Sequence, residues 1–431
     1  MTTIPTLDRT TPPASHPLRM MSLPKAEQIM LSPTVPVWTV KSGVQPVVGI
    51  NILLNTAGHT SSIPGIGSYA AKMLLEGTTT KSSARFAEAV ASLGAFLDID
   101  YSSDGLGISI HCLEKMAEPV LALVAEMLYA PAFGHTDFER LKAQTVQQLS
   151  VQEQKNAHLA STTFRHILFK GHPYGTSLTS EKASQCTRED ARIWYYENMR
   201  TASMSIYVAG ANPEVVLPAL NQYLGQWEGV SNRLVTLSEQ PLLTATPHYL
   251  PGANKLQTSI RQGTRSINQK HPDYPAYRMA NEIFGGYFGS RLMTNIREDK
   301  GYTYGISSQL VHFRQASMFV IGTDVKAEAT QSTLDEIRFE MQRMRTEPVP
   351  ADELETVKNY KLGGYLGSIN TPFDVLDKVK ALNLAGLETS YLDTFYAQLL
   401  ALTPEQVMQA AYEHWQPEHL LTVVAGMDQP V

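Results

Sequence analysis

Arg297 and Tyr304 stand seven residues apart in the run Arg297-Glu298-Asp299-Lys300-Gly301-Tyr302-Thr303-Tyr304. The guanidinium is a fixed fork of donors, and the phenol adds an O–H. Aimed at one point, the two suit a peptide carbonyl and the charge that builds on its oxygen during attack. A glycine-rich turn precedes them, Phe284-Gly285-Gly286-Tyr287-Phe288-Gly289-Ser290-Arg291-Leu292. Within it, Gly285, Gly286 and Ser290 are the candidate substrate-binding positions.

Other reactive side chains are scattered. None of the twelve histidines has the His-x-x-Glu-His or His-Glu-x-x-His spacing of a helical metal site. His166, His172, His414 and His419 therefore read as surface or cap residues. Cys112 and Cys186 lack CxxC spacing and read as buried small hydrophobes. No Ser-His-Asp set is readable. Ser68 and Lys72, four apart, share a helix face and could form a Ser–Lys dyad, but such i,i+4 pairs are usually incidental.

The elements that must position these groups follow from periodicity. At 431 residues the chain exceeds one ordinary core, so at least two domains are expected. The net charge of -6 gives no electrostatic footprint for nucleic acid. No stretch approaches the apolar length of a membrane span. Residues 1–20 are rich in Thr and Pro and read as a loose arm without the apolar run of a secretory signal. The expected location is the cytoplasm, with the periplasm as the alternative.

Strands are expected over 35–40 and 46–54, helices over 66–76 and 83–93, and paired strands over 96–101 and 106–112. Helices follow over 116–129, then from a Thr136–Glu139 capping box into the 150s, over 160–168 and over 187–198. A strand over 202–209 ends at Gly210. The second half repeats the order. It has a strand over 256–262, a helix over 273–284, and strands over 304–313 and 318–323. Helices are expected over 329–344, from 352 onward and over 403–415, and a strand over 420–425. Letters support a tandem repeat. At one ungapped offset Thr187 meets Thr403, Glu189 meets Glu405, Tyr196-Glu197 meets Tyr412-Glu413, and Val208-Ala209-Gly210 meets Val424-Ala425-Gly426. The expected fold is α+β, with two homologous domains of mostly antiparallel sheet packed with helices, over 21–235 and 236–431.

From about Lys25 onward the chain resembles a peptidase family M16 subunit of the bacterial short-chain type, related to the mitochondrial processing peptidase. The resemblance rests on the strand pair before Gly65, on Met73-Leu74-Leu75-Glu76-Gly77-Thr78, on His172-Pro173-Tyr174-Gly175, and on Arg297 and Tyr304. In that family the stretch before Met-Leu-x-x-Gly-Thr carries an inverted zinc motif, His-x-x-Glu-His. Here it reads Ser68-Tyr69-Ala70-Ala71-Lys72. Ser68 and Lys72 stand at the histidine positions and Ala71 at that of the general base. The region of the family's third ligand, 144–150, has no carboxylate; Glu153 lies nearby. His59 sits in a loop that could approach the vacant site, but one imidazole does not hold zinc.

The resemblance implies a degenerate zinc domain followed by a domain that keeps the family's Arg/Tyr pair. It implies the non-zinc subunit of a heterodimeric zinc endopeptidase, binding no cofactor itself and inert alone. The partner would carry His-x-x-Glu-His and zinc. Arg297 and Tyr304 would stabilise the carbonyl and oxyanion of a peptide bound as an added strand. The alternatives are a scaffold subunit without catalysis, in which the pair is a relic, and a non-catalytic peptide-binding homodimer.

Overall fold

The computed structural model describes residues 10, 18–32, 34–56, 63–230, 235, 237 and 246–428. The Thr/Pro-rich arm falls largely outside this set, as do His59 and most of the boundary region around 235/236.

Two sheets organise the chain. The first contains β1 (Ala26–Ser32), β2 (Val35–Lys41), β3 (Val47–Asn55), β4 (Phe96–Ser102), β5 (Gly105–Leu113) and β6 (Ser203–Gly210), in the order β1-β2-β6-β3-β5-β4. The second contains β7 (His248–Leu250), β8 (Gln257–Arg265), β9 (Thr303–His312), β10 (Ser317–Lys326) and β11 (Leu421–Ala425), in the order β7-β11-β8-β10-β9. Setting β1 aside, the topologies coincide. β2 runs parallel to β6 as β7 does to β11, and every other neighbouring pair is antiparallel. The register agrees too: Ile50 opposes Val208, and Ile260 opposes Val424. The aligned threonines, Thr187 and Thr403, both form complete capping boxes. The tandem repeat is thus a property of the fold.

Both faces of each sheet bury apolar residues, which is why β3 and β6 carry branched side chains without clean alternation. On one face of the first sheet Val37, Ile50, Ile206 and Val208 meet the helices Ile66–Met73, Ala117–Tyr129 and Arg188–Trp194. On the other, Val40, Tyr207 and Ala209 meet Val375, Leu376 and Val379 of the helix Pro372–Leu384, which comes from the second half. The exchange is reciprocal. The helix Asn156–Leu168 of the first half lays Ala160, Phe164 and Leu168 on Leu421, Val423 and Ala425 of the second sheet. Polar pins accompany each swap. Tyr207 donates to Asn383 at 2.5 Å, Asn156 Nδ2 donates to the carbonyls of Asn254 and Gln257, and Arg265 donates to the Leu168 carbonyl.

Several expectations need correction. The helix His135–Glu153 does not start from a Thr136 box: Gly134 is its N-cap, no side chain caps it, and Thr136 already lies in the first turn. The helix from 351 stops at Gly367; Thr371 then forms its own capping box with Asp374 and opens Pro372–Leu384, followed by Tyr391–Ala401. β1, Ser180–Gln185 and Leu217–Leu224 are further elements that periodicity did not single out.

Candidate functional site

The helix Ile66–Met73 starts at Gly65, whose φ of 79° suits glycine. Tyr69, Ala70, Ala71 and Met73 are buried, Ser68 is half-buried and Lys72 is exposed. Ala71 therefore faces the core, and among the described residues no hydrogen bond joins Ser68 to Lys72. Aromatic packing fills the approach. Tyr101 of β4 meets Trp194 edge-on at 5.7 Å, and a Cβ on Gly67 would lie 2.4 Å from Tyr101 Cζ and 2.8 Å from Trp194. Beside them is a cavity of about 320 Å³, lined by Thr56, Gly65, Gly67, Leu178 and His172. Burial pushes the Tyr101 phenol up to about 12.

Glu153 has another partner. Its carboxylate accepts the Ser180 N–H at 2.7 Å and the Ser180 hydroxyl at 2.5 Å, at the start of the helix Ser180–Gln185. An acid placed there satisfies a free helix N–H and the dipole. His172-Pro173-Tyr174-Gly175 is an inter-half joint. Tyr174 donates to Asp104 at 2.5 Å and stacks on Phe313 at 4.4 Å, while the backbone N–H of Arg314 also donates to Asp104. Burial and Asp104 both push the Tyr174 phenol upward. Cys112 and Cys186 are buried free thiols.

In the second half, local irregularity sets both candidate side chains. Arg297 lies on a π-helical segment, Met293–Asp299. The wide turn puts Met293 and Ile296 in the core and leaves Arg297 partly exposed, stacked on the Phe288 ring at 4.7 Å and 3.6 Å from Glu298. Asn295 fixes the segment by donating to Glu336 and Glu340, and Gly301, with φ 66°, turns the chain into β9.

Tyr304 sits in a β-bulge. Thr303 pairs with Val325 and Ile306 with Thr323, so Tyr304 and Gly305 together oppose Asp324. In a regular, unbulged strand, alternation would point Tyr304 to the buried face with Ile306, Ser308 and Leu310. The bulge instead leaves it 97 % exposed. It lines a cavity of about 500 Å³ with Ser307, Gln309, Arg261 and Asp324, on the face that also receives Asn156–Leu168. The Thr303 hydroxyl locks the bulge by donating to the Asp324 carbonyl at 2.7 Å, and Thr323 donates to Gly305. Arg297 and Tyr304 are both accessible, and neither hydrogen-bonds the other.

The three turn positions have packing roles in this conformation. Gly285 is buried, and a Cβ there would meet Ser308 N at 2.7 Å. Gly286 lies over the Glu282 carboxylate, itself paired with Lys361 at 3.1 Å. Ser290 is fully buried, one residue before Arg291, which forms a two-pronged ion pair with Glu353. Among the described residues, no helix is long and apolar enough to cross a membrane.

Comparison with known proteins agrees with this layout. The model "Insulinase (Peptidase family M16)" matches residues 47–182, and "Peptidase M16 inactive domain" matches residues 185–361. An uncharacterized zinc protease of Bacillus subtilis, YmxG, is 20% identical over 88% of this chain and 92% of its own length. A Helicobacter pylori protein described as a non-peptidase homolog is 22% identical over 81% of this chain and 87% of its own. Among solved structures, a peptidase M16 inactive domain from Pseudomonas fluorescens superposes with a TM-score of 0.83 at 23% identity, covering 93% of this chain and 98% of that one. With both family models matched in order across most of its length, and with the residues of the zinc motif replaced, this chain belongs to peptidase family M16 as a homologue without that motif.

Proposed function

We propose that the protein is the non-zinc subunit of a heterodimeric M16 endopeptidase. A partner with His-x-x-Glu-His supplies zinc, water and general base. This chain supplies Arg297 and Tyr304 as donors to the substrate carbonyl and to the oxyanion formed on attack. The observation that carries the reading is the bulge at Tyr304. Two threonine hydroxyls hold an irregularity whose effect is to present a phenol to solvent with no hydrogen-bond partner among the described residues. Bulges that re-aim a side chain are common next to active sites.

β9 is also one of the two outer strands of its sheet, and β4 one of the two of the other. Among the described residues no further strand pairs with either, and such edges suit an extended peptide joining as a further strand. This chain is inert alone on the same reading, because Ser68, Ala71 and Lys72 offer neither the ligands nor the base of the motif.

A second reading has support from the Helicobacter relative's description as a non-peptidase homolog: a subunit that binds peptides or serves as a scaffold without turnover. Affinity-tagged protein recovered from its own cells separates the two. A stoichiometric partner bearing the zinc motif, with peptide cleavage by the pair alone, is expected. Recovery only of self-complexes that bind peptide without cleaving it, or of a zinc-free assembly, would overturn the heterodimer.

A further inference from the structure

His271, Asp273 and His414 converge at the surface of the second half, although 141 positions separate the last two. Their ligating atoms all lie within 4.8 Å of one another. Asp273 Oδ2 is 3.0 Å from His414 Nε2 and 3.6 Å from His271 Nδ1. The two imidazoles meet edge to face at 5.3 Å.

The local backbone explains why the carboxylate points there. Asp273 is the N-cap of the helix Tyr274–Asn281, a position where Asp ordinarily accepts from the first-turn N–H groups. It makes no such bond. Its own N–H donates to His271 Nδ1, and the carboxylate turns outward between the two rings. His414 ends the helix Pro404–His414, is mostly buried, and is braced by the Tyr277 ring at 5.4 Å. His271 is more exposed. Next to Asp273 is a cavity of about 420 Å³ edged by Gln398, Gln406, Gln409 and Glu413.

We propose that these three side chains bind one divalent ion of the zinc class. Two imidazoles and one carboxylate form a donor set suited to zinc, with a fourth position left to water. At bond lengths near 2.1 Å, ligand atoms in a tetrahedron stand about 3.4 Å apart. The separations of 3.0 and 3.6 Å straddle that value, and rotation of His271 closes the third side. Ligation through Nδ1 replaces the bond from the Asp273 N–H. A plain hydrogen-bonded clasp between the two helix ends needs only Asp273 and His414. His271 is what distinguishes a metal site from such a clasp. The site ties the start of one helix to the end of another, and it stands independently of the peptidase reading.

The test uses the full chain, stripped with chelator and desalted, then titrated with zinc against a chromogenic chelator and separately with cobalt(II). The expected result is one equivalent per chain, visible d–d absorption with cobalt, and a melting temperature raised by zinc. His271→Ala should weaken binding by about tenfold or more and abolish the cobalt bands. Its metal-free melting temperature should fall only slightly, since a half-buried ring that accepts one backbone N–H is removed. Asp273→Asn and His414→Gln should lose binding likewise. No stoichiometric uptake by the parent chain, or equal uptake by His271→Ala, would overturn the site.

Discussion

The two halves share strand order, register and helix caps, yet they treat the segment between helix and outer strand differently. In the first half, β4 pairs with β5 without a break in register, and the helix Ser83–Ser92 before it is regular. In the second, Tyr274–Asn281 runs into π turns over Glu282–Gly286, another π segment carries Arg297, and β9 is bulged at Tyr304. The first half has a π turn of its own at Tyr195–Met199, where the Tyr195 hydroxyl is sealed onto the Leu128 carbonyl. The same scaffold therefore stays regular around Ser68–Lys72 and departs from regularity where two accessible polar groups, Arg297 and Tyr304, are presented. Irregular backbone of this kind costs stability and persists where the surroundings enforce it.

If the comparison is between two interlocked halves, the largest effect should come from the exchanged helices. Phe164→Ala and Leu376→Ala each remove a buried side chain lent to the other half's sheet, and each should cost about 2–5 kcal/mol in chemical denaturation. One cooperative transition is expected. Two separable transitions, each shifted by only one of the variants, would break the picture.

The functional asymmetry is tested next, in the reconstituted pair. Arg297→Ala and Tyr304→Phe should each lower turnover by roughly 100-fold, as loss of an oxyanion donor does, with assembly intact. Ser68→Ala and Lys72→Ala should leave it within a few-fold. Equal effects in both halves would remove the assignment.

A pH titration probes the second half alone. Burial, with Arg278 nearby, holds the His312 imidazole down at about 4 from an ordinary 6.5. The unfolded chain then binds the extra proton first as pH falls. This contribution is complete above 6.5, declines through that interval and is gone below about 4. His312→Gln should flatten the dependence; an unchanged slope would assign it to other groups.

The smallest effects should show the halves at their most alike. Thr187→Ala and Thr403→Ala remove equivalent capping boxes and should each cost about 0.5–2 kcal/mol. A loss confined to one would sharpen the asymmetry further.

Much of this was legible in the chain. The ungapped match of Val208-Ala209-Gly210 with Val424-Ala425-Gly426 marks the repeat, because both triplets end the strand that lies between a parallel and an antiparallel neighbour. The replaced motif over Ser68–Lys72 is equally plain. The direction of Tyr304 was not, because a single inserted residue reverses alternation and leaves no compositional mark. The burial of Gly285 and Ser290, candidate substrate positions in a glycine-rich turn, comes from tertiary packing that the local sequence does not show. Thr136 offered a complete local capping signal, yet Gly134 starts the helix. The convergence of His271, Asp273 and His414 escaped spacing rules altogether, since those rules see one helix and this cluster joins the ends of two.

The exchange of helices also orders events during synthesis. The last strand of the first sheet ends at Gly210, but the helix that covers one of its faces begins at Pro372. A ribosome delivers Val40, Tyr207 and Ala209 long before Val375, Leu376 and Val379 emerge to cover them. The nascent first half must wait with an apolar sheet face uncovered, a state prone to aggregation and suited to chaperone capture. Emergence of the helix Pro372–Leu384, rather than completion of the first sheet, ends that vulnerable interval.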